Sequence, residues 1–105
     1  DMNAETAFAW YEKALLAFLD IEANKESRYA EYRIGKMYAA GLGTEQNYME
    51  AAGWYELAAS RNHKYAQYSL AGLYYRGQGV EQDCEMTFRL YRKSAAQRVP
   101  YANYE

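Results

Sequence analysis

The sequence is poor in the residues that mark disulfides, metal sites and membrane spans. Its 105 residues include one cysteine, Cys84, one histidine, His63, and one proline. A lone cysteine excludes an internal disulfide, and a lone histidine far from it lacks the spacing of a metal site. No apolar run reaches the roughly eighteen residues of a membrane-spanning helix, and no signal peptide opens the segment. We therefore expect no metal, no cofactor and no membrane contact.

The sequence also lacks an excess of basic charge. The formal net charge is −2, and lysine and arginine form no continuous stripe. The thirteen tyrosines could stack on bases, but binding a nucleic acid also requires a basic path for its backbone. We therefore expect no direct nucleic-acid partner. The length suits one domain over residues 1–105.

What the sequence does contain is an internal repeat of thirty-six residues. Ten residues of the first copy are identical in the second: Tyr29, Ala30, Tyr32, Tyr38, Gly41, Gly43, Glu45, Gln46, Tyr55 and Ala59. The second copy contains their counterparts Tyr65, Ala66, Tyr68, Tyr74, Gly77, Gly79, Glu81, Gln82, Tyr91 and Ala95. Three of these recur again as Tyr101, Ala102 and Tyr104. The implied units are a partial repeat over 1–27, repeats over 28–63 and 64–99, and a truncated repeat over 100–105.

Each copy predicts two helices joined by a glycine loop. Apolar residues recur at intervals of three and four in the first helix, near Arg28 to Ala40, and the predicted buried stripe is Ala30, Ile34, Met37 and Tyr38. Gly41 and Gly77 are placed as left-handed helix terminators. We expect turns over residues 41–46 and 77–82, and no strand, because no stretch alternates polar and apolar residues.

The second helix of each copy begins after a capping residue. Asn47 and Asp83 can accept hydrogen bonds from the first turn, and Glu50 is placed for a capping box. The predicted inward face is small and aromatic, and comprises Ala51, Trp54, Tyr55, Ala58 and Ala59, with counterparts Thr87, Leu90, Tyr91, Ser94 and Ala95. Such a hairpin cannot bury its own apolar face, so neighbouring hairpins must stack on it.

These motifs resemble the Sel-one-like repeat, a relative of the tetratricopeptide repeat. The resemblance rests on the pattern A-x-x-x-[IL]-[GA]-x-[ML]-Y-x-x-G-x-G-[TV]-E-Q-[ND], followed by W-Y and A-A or by L-Y and S-A. It implies an all-α, right-handed solenoid of helical hairpins that binds protein partners without catalysis. The sequence departs from the pattern at Asn62 and Arg98, which replace a turn glycine, and at Cys84, which replaces a tyrosine.

Cysteine usage favours a reducing, cytoplasmic location. Secreted members of the family that the sequence resembles carry a cysteine pair in each repeat, whereas this chain has one thiol. We expect Cys84 to be a half-buried substitute for Tyr48, and His63 to be a solvated turn residue whose replacement by alanine has almost no effect.

The first part of the chain predicts one long amphipathic helix over about residues 3–24. Its Trp10-Tyr11 and Ala14 match Trp54-Tyr55 and Ala58, which makes it the second helix of a preceding repeat, lengthened by about two turns. This helix and the motifs after it are also similar to the repeat region behind the nicking domain of some plasmid-mobilisation relaxases. The segment therefore resembles a piece of a longer protein, beginning and ending within repeats.

No catalytic constellation is present. The glycine loops lack the lysine and the preceding strand of a phosphate-binding loop, and no nucleophile lies near a base. We therefore predict no catalytic, cofactor-binding or metal-binding residues.

Charge suggests a ligand. The first helices carry an excess of basic residues and the N-terminal helix is acidic, so the concave face of the predicted solenoid would be mildly positive. We predict that a protein or peptide partner, of acidic character, binds there to Tyr29, Arg33, Lys36, Tyr65, Ser69, Gly72 and Arg76, with Gly72 leaving room for a ligand side chain.

The alternative is a structural or dimerisation spacer in a larger multidomain protein such as a mobilisation relaxase. We also expect self-association through the uncapped ends, at the face of Phe8, Tyr11, Leu15 and Phe18 or at the truncated C-terminal helix, while the groove stays free for a ligand.

Overall fold

The structure is a computed structural model that describes residues 2–25 and 27–97. This part of the chain contains five helices and no strand: α1 (Met2–Lys25), α2 (Arg28–Ala40), α3 (Tyr48–Ser60), α4 (Lys64–Arg76) and α5 (Cys84–Ala96). Each helix packs on the next along the chain, so that α2 with α3 and α4 with α5 form two stacked hairpins. The predicted all-α solenoid of helical hairpins is confirmed. The truncated repeat predicted over residues 100–105 lies outside the described residues.

The glycine loops end the first helices as the sequence predicts. Gly41 and Gly77 adopt left-handed conformations, with φ of 71° and 68°. The amide of Leu42 then donates to the Met37 carbonyl at 2.9 Å, and the amide of Asn47 donates to the Tyr38 carbonyl at 2.8 Å. The same bonds recur in the second copy. Each loop therefore folds back on its own helix, and backbone hydrogen bonds hold the reversal of the chain.

The repeated glutamine of these loops has a role that the sequence did not reveal. Gln46 Nε2 donates to the carbonyl of Ala39 at 2.9 Å, and Gln82 Nε2 donates to the carbonyl of Tyr75 at 2.8 Å. Both carbonyls lie in the last turn of a first helix, where no intrahelical partner remains. The glutamine side chain therefore completes the cap that the glycine begins.

The caps of the second helices are confirmed in part. Asn47 and Asp83 each accept a hydrogen bond from the backbone amide three residues on. The predicted capping box of Glu50 needs the Asn47 amide, but that amide bonds to Tyr38 in the loop instead. Backbone closure of the loop thus takes the donor that a capping box would use.

His63 corrects the sequence interpretation most clearly. Its Nδ1 accepts a hydrogen bond from the Ala66 amide at 3.2 Å, so it is the N-cap of α4, the role that Ser27 has in α2. Its ring also stacks on Tyr32, with centroids 4.8 Å apart. The residue before it, Asn62, has a φ of 70°, the left-handed conformation that suits the turn glycine of the repeat pattern.

Two clusters of buried side chains hold the hairpins together. The larger one joins α3, α4 and α5 around Ala58, Ala66 and Leu70, and the smaller one joins α1 and α2 through Leu15, Ile34 and Met37. The predicted stripe of α2 is buried except for Tyr38, and its counterparts in α4, Ala66, Leu70 and Leu73, are buried while Tyr74 is half-buried like Tyr38. On the second helices Trp54 is half-buried, and Tyr91 and Ala95 are exposed, because no further hairpin covers α5 in the described chain.

The register of α1 differs from the register that the match of Trp10-Tyr11 with Trp54-Tyr55 predicts. The equivalent loop glycines Gly79 and Gly43 each touch the preceding helix. A Cβ on Gly79 would overlap the backbone of α3 at Tyr48, and a Cβ on Gly43 would overlap the backbone of α1 at Tyr11. Tyr11 thus occupies the place of Tyr48, seven residues before the place that the motif predicts. Seven residues are about two helical turns, so the same face still points to α2.

This shift changes which residues of α1 are covered. Leu15 is buried and Phe18 is half-buried against α2, so they are not available for the predicted self-association face. Phe8 and Tyr11 remain 47% and 43% exposed, and Trp10 is 72% exposed. The extra length of α1 therefore extends its N-terminal half beyond the next hairpin.

Candidate functional site

A cavity of about 360 Å³ lies between α2 and α4, with α3 as its floor. We call it the main pocket. Its lining combines tyrosine rings, two cations and small residues: Lys36, Ala39, Ala40, Tyr48, Tyr55, Tyr68, Ser69, Gly72, Leu73, Arg76, Gln78 and Tyr91. None of these side chains is a carboxylate, a histidine or a cysteine. The pocket can therefore contact apolar and anionic groups, but it offers no nucleophile activated by a base.

Tyr55 forms the floor because a glycine of the neighbouring helix makes space for it. A Cβ on Gly35 would lie 2.7 Å from the Tyr55 ring, so only glycine permits this packing. Burial, followed by the proximity of Tyr32, raises the pKa of Tyr55 to about 12, although its hydrogen bond with Ser69 acts in the opposite direction. The phenol therefore remains protonated at physiological pH.

Lys36 and Arg76 place positive charge at the main pocket. Lys36 is exposed, with its Nζ 5.9 Å from the centroid of the Tyr32 ring. Arg76 folds back along α4, and its Nη1 donates to the Gly72 carbonyl at 3.3 Å. The space that the missing side chain of Gly72 leaves is thus taken by the guanidinium, which is the nearest group to a Cβ built there.

A second pocket, of about 200 Å³, lies between α1 and α2. Its lining is Tyr11, Ala14, Phe18, Arg33, Lys36, Met37 and Leu42. Arg33, Lys36, Met37 and Leu42 are the counterparts, one repeat earlier, of Ser69, Gly72, Leu73 and Gln78 in the main pocket. Tyr11 and Phe18 stand where α3 has Tyr48 and Tyr55. The two pockets are therefore one site repeated on the same face, and Lys36 borders both.

The seven predicted groove residues divide into three groups. Lys36, Ser69, Gly72 and Arg76 line the main pocket, and Arg33 lines the second pocket. Tyr29 and Tyr65 line neither. Tyr29 packs edge-on against Phe18, with centroids 6.2 Å apart, and Tyr65 lies beside Tyr32 at 6.1 Å.

Four tyrosines of the main pocket were absent from the predicted site. Tyr55 and Tyr91 had been assigned to packing, and Tyr48 fell outside the repeated positions. A signal was present, because Tyr48 and Tyr55 are seven residues apart and therefore share a face of α3. Tyr68 is exposed at 60% and contacts the Tyr91 ring at 5.3 Å.

Other surface features are less enclosed. A depression of about 400 Å³ runs along Glu5, Ala9, Trp10 and Lys13, but α1 alone lines it. Cys84 is the first residue of α5 and is exposed, not half-buried as predicted. Within residues 2–25 and 27–97, no group of three or more histidine, cysteine or acidic side chains is arranged to hold a metal ion. No helix in those ranges is long and apolar enough to cross a membrane.

Comparison with known proteins agrees with this architecture. The family model of the Sel1 repeat matches residues 3–17, 28–63 and 64–99. Among solved structures, the chain is similar to the crystal structure of a Sel1 repeat protein from Oxalobacter formigenes, with a TM-score of 0.75 and 30% sequence identity. That match covers 87% of this chain and 38% of the other chain. A search of curated proteins found no match. By its repeats and its stacked helical hairpins, the chain belongs to the Sel1 repeat family.

Proposed function

We propose that the chain is a noncatalytic protein-interaction module that binds a partner segment on the face of α2 and α4. We call this face the groove, and it comprises the main pocket and the second pocket. Sel1 repeats are in general protein-interaction scaffolds without catalytic activity. The observation that carries the proposal is the main pocket itself, where exposed tyrosine rings and two cations meet with no carboxylate.

The chemistry of the groove favours a peptide over a small anion. Aromatic faces supply large contact areas at little cost in conformational entropy, and Lys36 and Arg76 favour partners of acidic character. The side-chain amide of Gln78 can hydrogen-bond the backbone of a bound chain. A reducing compartment, such as the cytoplasm, suits the exposed thiol of Cys84.

A peptide selection tests this proposal. Peptides are selected from a random dodecamer display library on the immobilised protein, and their affinities are measured by calorimetry. Gly72→Gln should weaken binding at least about tenfold, because the new side chain enters the main pocket. The counterpart of Gly72 in α2 is Lys36, so the helix accepts a long side chain at this position.

The matched control is Gly53→Gln. Gly53 is an exposed helical glycine on α3 with no atom within 4 Å of a built Cβ, and it lies outside the groove. Selected peptides should bind this variant as they bind the original protein. Equal affinity for the Gly72→Gln and Gly53→Gln variants would refute binding in the groove.

A second candidate is a structural or dimerisation spacer within a larger protein, such as a mobilisation relaxase. The exposed side chains of Phe8, Trp10 and Leu16 on α1 favour it. Sedimentation velocity tests self-association of the chain. A dimer that dissociates on Trp10→Glu supports this candidate, whereas a monomer across the accessible concentration range contradicts it.

A further inference from the structure

Arg76 fills the space in the main pocket that the missing side chain of Gly72 leaves. Its Nη1 lies 3.0 Å from a Cβ built on Gly72. Among the described residues beyond the two chain neighbours of Gly72, only Arg76 has a side chain within 4 Å of that Cβ. Gly72 is buried, whereas Arg76 as a whole is exposed, and both line the pocket. The guanidinium therefore covers Gly72 from the side of the pocket.

The guanidinium is held there weakly. Its hydrogen bond to the Gly72 carbonyl is 3.3 Å long, just beyond the usual range of about 2.7–3.2 Å for N–H···O bonds. That carbonyl lies inside α4 and already accepts the helical hydrogen bond from the backbone amide of Arg76, so it does not need the side chain. Among the described residues, Arg76 pairs with no carboxylate. Turning the side chain outward thus leaves the carbonyl satisfied and breaks no ion pair.

Position 72 does not need a glycine for its backbone or for helix packing. The backbone there is helical, and the counterpart of Gly72 in α2 is Lys36, so a long side chain is accepted at this place in the repeat. Glycine also weakens a helix relative to alanine. What the glycine provides is space that Arg76, one turn later, can reach. The counterpart of Arg76 in α2 is Ala40, so the glycine and the long cation form a pair that α2 lacks.

We propose that Arg76 is the specificity residue of the main pocket, and that it covers Gly72 until an acidic side chain of the partner draws it away. A carboxylate offers the guanidinium two parallel charge-assisted hydrogen bonds, which are stronger than the single bond to a carbonyl. A neighbouring apolar side chain of the partner then takes the space above Gly72, among the tyrosine rings of the pocket. This inference rests on the proposed function, because it names the residue through which the groove selects acidic partners.

Binding of an acidic peptide and of its neutral form, measured by calorimetry, tests this role. The probe is the tightest dodecamer from the display selection, with forms in which each glutamate or aspartate is replaced, one at a time, by glutamine or asparagine. At least one replacement should weaken binding to the original protein about tenfold, and the same replacement should change the affinity for the Arg76→Ala variant less than about twofold. Arg76→Lys keeps the positive charge and should preserve the preference for the acidic peptide.

A side chain that must be displaced has a second signature, which an ordinary ion pair lacks. The neutral peptide gains nothing from the guanidinium but still has to displace it, so it should bind Arg76→Ala about threefold more tightly than the original protein. Arg92→Ala is the matched control, because Arg92 is exposed on α5 and lines neither pocket. Both peptides should bind this control as they bind the original protein. Circular dichroism checks that each variant is folded.

The outcomes separate this inference from the function that it refines. Selected peptides without acidic residues, or a preference for the acidic peptide that survives Arg76→Ala, would overturn the inference. A neutral peptide whose binding Arg76→Ala weakens or leaves unchanged would overturn it as well. If the selected peptides are nevertheless lost on Gly72→Gln and kept on Gly53→Gln, the groove remains the binding site. If they ignore Gly72→Gln, the proposed function fails and the role of Arg76 fails with it.

Discussion

The buried ion pair of Glu31 and Arg61 has a neutral counterpart one repeat later. Glu31 is fully buried, and its carboxylate lies 3.2 Å from Nη2 of Arg61, whose side chain is 36% exposed. The equivalent residues of the next repeat are Gln67, which is also buried, and Gln97, whose Nε2 donates to Gln67 Oε1 at 2.7 Å. One position in the fold thus accepts either a charged pair or an amide pair.

This substitution within the chain predicts an asymmetric mutational cycle. Arg61→Gln should destabilise the fold by about 3 kcal/mol, because the buried carboxylate of Glu31 loses its guanidinium partner and must stay charged or take up a proton. Glu31→Gln should cost only about 1 kcal/mol, since the guanidinium of Arg61 can turn to water. The double variant copies Gln67 and Gln97, and its stability should be within about 1 kcal/mol of the original protein.

Urea denaturation followed by circular dichroism measures these free energies of unfolding. The expected coupling energy of the cycle is about 3–4 kcal/mol, because the double variant should be far more stable than the sum of the two single losses predicts. Additive effects of the two substitutions, or a double variant at least as unstable as Arg61→Gln, would refute the equivalence of the two pairs. An Arg61→Gln loss that disappears at acidic pH would identify protonation of Glu31 as its cause.

Two further predictions concern a cap and two glycines. Burial, followed by the charge of Arg28, lowers the pKa of His63, and its Nδ1 must be unprotonated to cap α4. Its contribution to stability is therefore complete above about pH 6.5 and is lost as the pH falls through the folded pKa below that value. His63→Ala should lower the free energy of unfolding by about 1 kcal/mol at pH 7.5 and by less at pH 5, whereas His63→Ser keeps a cap and abolishes the pH dependence. Thermal denaturation at both pH values measures these losses. A loss that is the same at both pH values in the alanine variant would contradict the assigned cap. Gly53→Ala should raise the free energy of unfolding by about 0.5–1 kcal/mol. Gly35→Ala should lower it by about 1–3 kcal/mol, because the new Cβ meets the Tyr55 ring. If urea denaturation shows that both substitutions change the free energy of unfolding in the same direction, the packing of that ring is contradicted.

The spacing of apolar residues predicted the helices well, because each helix of the repeat occurs twice in the sequence with the same pattern. The bounds of α2, the turn glycines, the caps Asn47 and Asp83 and the buried stripes all follow from local chemistry that recurs after thirty-six residues. His63 was misinterpreted because its counterpart Val99 cannot cap, so the comparison of copies concealed its role. Ser27 occupies the same place before α2 and would have indicated it.

The register of α1 and the composition of the groove were harder to predict. A helix shifted by two turns presents the same face, so the spacing of apolar residues in α1 cannot distinguish the register given by Trp10-Tyr11 from the one observed. The contact of Gly43 with the backbone of α1 decides it, and that contact is tertiary. Likewise Tyr48 and Tyr68 line one pocket only because α3 and α4 pack together.

A structure of the protein with a display-selected peptide would show directly whether the groove binds a partner segment. We expect the peptide to lie across α2, with side chains in the main pocket and in the second pocket and with Lys36 between them. Arg76 should move away from Gly72, where its Nη1 now bonds to the carbonyl at 3.3 Å. A peptide bound instead on the exposed face of α1, at Phe8 and Trp10, with the groove empty, would contradict binding in the groove.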